Sequence, residues 1–129
     1  MPSPNELLHD PRFRLHWRVL LVGLCVVAGW FAFTPRPPVP DFEGADKVNH
    51  LLAFGSMATA GAMGWAATHR ARWQVAFSLL GYGGFIEAVQ SQLPNRTAAW
   101  DDLLADAIGI AGGLLLAAFL RRCWPRSNG

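Results

Sequence analysis

The chain has 129 residues, of which 52% are hydrophobic and 16% are charged, and its formal net charge is +2. This composition fits either a soluble helical bundle or a small membrane protein. The sequence shows no run of cations that would form a basic face, so we expect neither a polyanion-binding surface nor a nucleic-acid partner. The two cysteines, Cys25 and Cys123, fall in mid-helix and beyond the last predicted helix, which excludes a disulfide between them.

Four apolar stretches fill most of the chain. They are Val19–Phe33, Leu51–Ala67, Val75–Ile86 and Leu103–Leu120. A helix needs about 20 residues to cross a hydrocarbon core of roughly 30 Å. The first stretch holds no charged residue and the fourth holds one, whereas the second and third are rich in Ala and Gly and the third is the shortest. The pattern predicts an all-α membrane bundle of four transmembrane helices.

The flanks of these stretches divide the chain further. Residues 1–16 are polar and predict a cytoplasmic N-terminal arm, residues 17–122 the four-helix transmembrane domain, and residues 123–129 a cytoplasmic tail. The first stretch follows arginines, as a signal peptide does, but the bulky sequence Trp30–Thr34 lacks the small residues that cleavage requires. We therefore expect an uncleaved anchor.

The basic residues predict the orientation. Eight of the eleven cations lie before the first stretch, between the second and third, or after the fourth: Arg12, Arg14, Arg18, Arg70, Arg72, Arg121, Arg122 and Arg126. Loops rich in Lys and Arg stay in the cytoplasm. We therefore expect both termini to be cytoplasmic in the plasma (inner) membrane, with the acidic loops on the outer face.

Polar residues gather at the predicted outer ends of three helices. The candidate polar site comprises Asp46, Lys47, His50, Glu87, Gln90, Arg96, Asp102 and Asp106. Because each helix continues from these groups into a stripe of small residues, we expect His50, Glu87 and Asp106 to approach one another inside the bundle. Gly109 and Gly113 share a helix face with Asp106 and are predicted to pack against a neighbouring helix.

Two interpretations of this polar site stay open. In the first, the groups only lock the bundle, with Lys47 and Arg96 paired to carboxylates. In the second, five carboxylates against those two cations form a cleft for a ligand; they are Asp46, Glu87, Asp101, Asp102 and Asp106. Asp46, His50, Glu87 and Asp106 are acceptable metal ligands, but with a single histidine and no fixed ligand spacing, no metal and no cofactor is predicted.

The order of the polar motifs resembles the VanZ-like family of small polytopic bacterial membrane proteins. The matching segments are Asp46-Lys47-Val48-Asn49-His50, Glu87-Ala88-Val89-Gln90, Pro94-Asn95-Arg96 and Asp102-Leu103-Leu104-Ala105-Asp106-Ala107-Ile108-Gly109. They are similar to the family elements D-K-x-x-H, E-x-x-Q, P-x-R and D-L-x-A-[N/D]-x-x-G. The chain departs from the pattern at Asp106, where Asn is commoner. The resemblance implies a location in the cell envelope and a link to glycopeptide antibiotic resistance.

Three functions follow from these observations. The first is binding of a lipid headgroup, cell-wall precursor or glycopeptide-type antibiotic in an outward-facing polar cleft. The second is an intramembrane lipid-directed hydrolase or transferase that uses His50, Glu87 or Asp106 as acid or base. The third is a structural subunit whose Gly109 and Gly113 stripe docks another membrane protein or a second copy of the chain. All three have the lipid bilayer as a partner.

Overall fold

The computed structural model describes residues 1–35, 42–94 and 98–126, and the chain is all-α within these ranges. The described residues form a short helix, α1 (Pro4–His9), a 3-10 turn (Pro11–Phe13) and four long helices. The long helices are α2 (Arg14–Phe33), α3 (Ala45–Gly64), α4 (His69–Gln90) and α5 (Trp100–Cys123). The all-α prediction is confirmed.

Two segments in the described ranges, Pro11–Phe33 and Trp100–Cys123, are long and apolar enough to cross a membrane. The second ends in two arginines, Arg121 and Arg122, and begins with Asp101 and Asp102 in its first turn. Charges of these signs suit the two ends of the helix dipole. α3 and α4 are also long, at 20 and 22 residues, but contain more polar residues than α2 and α5.

α3 is the central helix of the bundle. Its residues Phe54, Met57 and Ala58 are at most 2% exposed. α5 lies against it through Gly109 and Gly113, which are both buried. Because neither glycine has a side chain, the two backbones approach closely, as small-residue stripes allow in membrane bundles.

The Gly109 and Gly113 face is therefore occupied within the chain. A Cβ atom on Gly109 would lie 2.8 Å from Leu51 O, and a Cβ atom on Gly113 would lie 2.8 Å from the Cβ of Ala58. This packing agrees with the predicted helix contact. The stripe that the structural-subunit alternative assigned to docking therefore contacts α3 of the same chain.

α2 is the least enclosed of the long helices. Its buried residues are Gly29 and Ala32, near its C-terminal end. Val19, Val22 and Val26 are each more than 60% exposed. An exposed apolar stripe along a whole helix is typical of a surface that faces lipid or another protein.

One end of the bundle is rich in arginine, and we call it the basic end. Arg18 Nε donates to Gly64 O at 2.8 Å, and Arg121 Nη2 donates to Ala62 O at 3.0 Å. These carbonyls belong to the last turn of α3, where intrahelical donors run out. A cavity of about 480 Å³ at this end is lined by five arginines, Arg14, Arg72, Arg121, Arg122 and Arg126.

The short N-terminal helix also lies at the basic end. His9 Nε2 donates to Trp124 O at 2.6 Å, and Trp17 Nε1 donates to Leu7 O at 2.9 Å. α1 begins with a capping box between Ser3 and Glu6. The polar N-terminal residues are thus folded against the end of α5.

Candidate functional site

The opposite end of the bundle, which we call the acidic end, collects ionisable side chains from three helices. His50 comes from the first two turns of α3, Glu87 from the last turn of α4, and Asp102 and Asp106 from the first two turns of α5. The three carboxylates are almost fully enclosed, with exposed fractions of 2% for Glu87, 4% for Asp102 and 0% for Asp106. Carboxylates buried to this degree require partners, because desolvation of an ionised group is costly.

His50 is held in a defined orientation. Its Nδ1 atom lies 2.6 Å from Asp106 Oδ1. Since a carboxylate only accepts, the hydrogen of this bond is on Nδ1. The ring of Phe54 is almost parallel to the imidazole, with an interplanar angle of 3° and a centroid distance of 6.2 Å. The backbone of Gly83 leaves space for Asp106 Oδ2, which a Cβ atom at that position would fill.

The other ring nitrogen faces two carboxylates. His50 Nε2 lies 3.9 Å from Glu87 Oε1 and 3.8 Å from Asp102 Oδ2. Both distances exceed the range of a hydrogen bond. Glu87 Oε2 accepts from the backbone N–H of Ala99 at 3.0 Å, whereas Glu87 Oε1 is buried and has no hydrogen-bond partner among the described residues.

His50, Glu87 and Asp102 therefore form a compact group, which we call the three-residue cluster. One ligand atom from each of them lies within 4.8 Å of the other two. No metal site was predicted from the sequence, in which the acceptable metal ligands were Asp46, His50, Glu87 and Asp106. In the structure Asp102 takes part instead of Asp46, and Asp106 lies behind the imidazole.

Lys47 closes the outer edge of the acidic end. Its Nζ atom lies 2.9 Å from Asp101 Oδ2 and 3.3 Å from Asp102 Oδ1. Lys47 and Asp101 are both exposed, so the ion pair between them contributes little stability. The predicted pairing of Lys47 with a carboxylate is present, and Asp101 takes part in it although it was not among the candidate site residues.

The remaining candidates lie apart from the cluster. Gln90 Nε2 donates to Ala32 O at 3.1 Å, so this side chain ties α4 to the C-terminal turn of α2. Asp46 is exposed on the first turn of α3. Arg96 lies outside the described residues.

A cleft of about 240 Å³ opens beside His50, between α2, α3 and α4. Its walls are apolar and comprise Ala28, Phe31, Ala32, Ala53, Phe54 and Ile86. Its polar edge comprises Asp46, Asn49, His50 and Gln90. Asn49 was missed from the sequence, although its position three residues after Asp46 places the two on neighbouring parts of one helix surface.

The site therefore has two parts that share His50. The cleft combines an apolar wall with a polar edge, which is the form of a binding site for an amphiphilic molecule. The three-residue cluster is a dense group of oxygen and nitrogen atoms that can take up positive charge, either as protons or as a cation. Glu87 and Asp102 belong to the second part and do not line the cleft.

The chain was compared with protein families, with curated proteins and with solved structures. No curated protein and no solved structure matches it. The VanZ/LLP1 family model matches residues 9–121, which include all four long helices up to Arg121 of α5 and the whole acidic end. The resemblance first seen in the spacing of the polar motifs is confirmed, and the chain belongs to the VanZ/LLP1 family.

Proposed function

We propose that this chain is an integral membrane protein of the cell envelope with four transmembrane helices and cytoplasmic termini. Family membership and the two long apolar helices support the membrane location. The arginines of the basic end support the orientation, because Lys and Arg are retained on the cytoplasmic side. In this orientation the acidic end and its cleft face outward.

The function is binding of an amphiphile at the acidic end, with its apolar chain in the cleft and its headgroup at the polar edge. The cleft carries this proposal, because it runs from an apolar wall at Ala28 and Phe31 to polar groups at Asp46, Asn49 and His50. A lipid, a lipid-linked cell-wall precursor and a glycopeptide-type antibiotic with an acyl chain all have this chemistry. Binding between helices buries the apolar chain and keeps the headgroup in water.

The charge at the polar edge favours a headgroup that carries an amine. Asp46 is exposed, and within the described ranges no ion pair joins it to a cation. Lys47, its neighbour, is directed to Asp101 and Asp102. A primary ammonium group at the mouth of the cleft would form a charge-assisted hydrogen bond with the Asp46 carboxylate.

The preference of the protein between two lipids tests whether the bound headgroup carries an amine. Purified protein is titrated in detergent with short-chain phosphatidylethanolamine and phosphatidylglycerol of the same acyl composition, and binding is followed by native mass spectrometry. We expect the amine lipid to bind more tightly, and Asp46→Asn to remove this preference. Glu43→Gln is the matched control, because Glu43 is an exposed carboxylate near the start of the same helix that does not line the cleft. Equal affinities in the wild type would contradict the amine assignment.

A substitution that fills the cleft tests whether the apolar chain of the amphiphile binds there. Ala53→Phe places a ring into the apolar wall and should weaken binding of both lipids. Ala111→Phe makes the same change on an exposed position of α5 and should leave binding unaltered. Unchanged binding in the Ala53 variant, with a native circular dichroism spectrum, would show that the amphiphile binds elsewhere.

The oriented His50–Asp106 pair favours a second candidate function, a lipid-directed hydrolase or transferase in which His50 is the general base. A base needs an orienting partner on its far nitrogen, and Asp106 Oδ1 at 2.6 Å supplies one. Under this alternative, Asp106→Asn should lower the release of product from a radiolabelled lipid by roughly 10²- to 10⁴-fold. A binding protein shows no turnover with or without the substitution.

A further inference from the structure

We infer that the three-residue cluster is a binding site for one divalent transition-metal cation of the Zn²⁺ or Mn²⁺ class, with Asp106 as the positioning residue for His50. The ligand atoms are His50 Nε2, Glu87 Oε1 and Asp102 Oδ2. This inference does not depend on the amphiphile proposal, because Glu87 and Asp102 do not line the cleft.

The separations of the ligand atoms suit a single ion. Bonds of ~2.1 Å place neighbouring ligand atoms ~3.0–3.5 Å apart in tetrahedral or octahedral geometry. His50 Nε2 lies 3.9 Å from Glu87 Oε1 and 3.8 Å from Asp102 Oδ2. An ion at the centre needs inward movements of only a few tenths of an ångström from each side chain.

The unpaired oxygen of Glu87 is an independent sign of a ligand. The Glu87 side chain is 1% exposed, and its Oε2 atom is already bonded to the Ala99 N–H. Its Oε1 atom has no hydrogen-bond partner in the described part of the chain and is directed toward His50 Nε2. A buried carboxylate oxygen without a donor carries a large desolvation cost, which a cation at that point removes.

Asp106 prepares His50 to be a ligand. Because Nδ1 donates to Asp106 Oδ1, Nε2 of the neutral ring presents a lone pair to Glu87 and Asp102. A lone pair directed at two carboxylates is repulsive unless a proton or a metal cation lies between them. The same carboxylate–histidine arrangement fixes the ring and raises the basicity of the metal-bound nitrogen in known metal sites.

The charges agree with a divalent ion. Four carboxylates at this end, Glu87, Asp101, Asp102 and Asp106, face one fixed cation within the described ranges, Lys47. The excess is three negative charges, of which one divalent cation cancels two. A donor set of one imidazole and two carboxylates is typical of Zn²⁺ and Mn²⁺, whereas Mg²⁺ and Ca²⁺ prefer oxygen alone.

Titration of the full-length protein tests the site. The Cys123→Ser variant serves as the reference, because a thiolate would be a competing Zn²⁺ ligand. After removal of metal with a chelator, detergent-solubilised protein is titrated calorimetrically with ZnCl₂ and with MnCl₂. We expect one equivalent to bind, and Glu87→Gln or Asp102→Asn to weaken binding by at least about 100-fold. Asp106→Asn should weaken it by about 10- to 100-fold, as for other residues that orient a metal-bound histidine.

Two controls keep the result interpretable. Glu43→Gln alters an exposed carboxylate near the start of α3, outside both the cluster and the cleft, and should leave the affinity unchanged. X-ray absorption at the zinc edge of the reference protein should report one imidazole nitrogen and oxygen donors, and this measurement does not depend on whether a variant folds. No binding by the reference protein, binding that persists in both ligand variants, or a spectrum without imidazole would each overturn the inference.

Discussion

The contact between α3 and α5 allows a sharp test with a single methyl group. In Gly109→Ala the new Cβ atom would lie 2.8 Å from Leu51 O, 3.2 Å from Leu51 Cα and 3.2 Å from Gly55 N. All three atoms are backbone. Leu51 O and Gly55 N are the two ends of one helical hydrogen bond of α3, so neither can rotate away from the methyl group.

The cost follows from these distances. Ordinary contact with a Cβ atom begins near 3.4 Å, so the two helices must separate locally by about 0.6 Å. Overpacking of this kind destabilises a protein by about 1–3 kcal/mol. The gain in helix propensity from Gly to Ala offsets about 0.5–1 kcal/mol of this. We expect a net loss of about 1–2 kcal/mol in the free energy of unfolding.

Gly112→Ala is the matched control. It makes the same change three residues later in α5, but no atom lies within 4 Å of its Cβ position. Only the propensity effect remains, so this variant should be as stable as the wild type or more stable by up to about 1 kcal/mol. Both variants are unfolded reversibly with SDS in mixed micelles, and unfolding is followed by tryptophan fluorescence.

The sign of the stability difference between the two variants tests the close approach of α3 and α5. Gly109→Ala should be less stable than Gly112→Ala by about 1–3 kcal/mol, which is the overpacking value alone, because the propensity gain is common to both variants and cancels. Equal stability of the two variants would refute the close approach of the α3 and α5 backbones at Leu51.

Two further predictions concern orientation and the attachment of α2. With both native cysteines replaced by alanine, Glu43→Cys and Gln92→Cys should react with an impermeant maleimide in intact cells and Ala71→Cys should not; labelling at Ala71 would reverse the proposed orientation. Gln90→Leu should lower the free energy of unfolding by about 1–3 kcal/mol, because the buried Ala32 carbonyl at the C-terminal turn of α2 loses its donor. The same SDS titration measures this loss, and a change below about 0.5 kcal/mol would show that water replaces the amide.

The helices were predictable because apolar stretches and breakers are local signals. The first stretch was expected to end at Phe33, before Pro35, and α2 does end there. The third apolar stretch begins at Val75, but α4 already begins at His69, since the Thr68 side chain accepts from Ala71 N and caps the helix. Such capping residues are visible in sequence, as is the capping box of Ser3 and Glu6 that begins α1.

The meeting of His50, Glu87 and Asp106 was also predictable, because helical periodicity places each on the same face as its small residues. The ion-pair and hydrogen-bond partners of the surrounding side chains were not predictable from the sequence. Lys47 turns to Asp101 and Asp102, and Gln90 turns away to α2. These choices depend on the rotation of each helix about its axis and on side-chain rotamers, and both are set by packing that periodicity does not specify.

The central place of α3 has a consequence for how the protein is made. The face of α3 that carries Gly55 and Ala58 is covered by α5, which is synthesised after α3 and α4. Until Trp100 and the residues after it are synthesised, His50 lacks Asp106 and the unfinished chain carries an uncovered small-residue groove. The bundle therefore closes only when α5 has been made, and a chain that stops before Trp100 exposes the His50 imidazole and an open groove on α3.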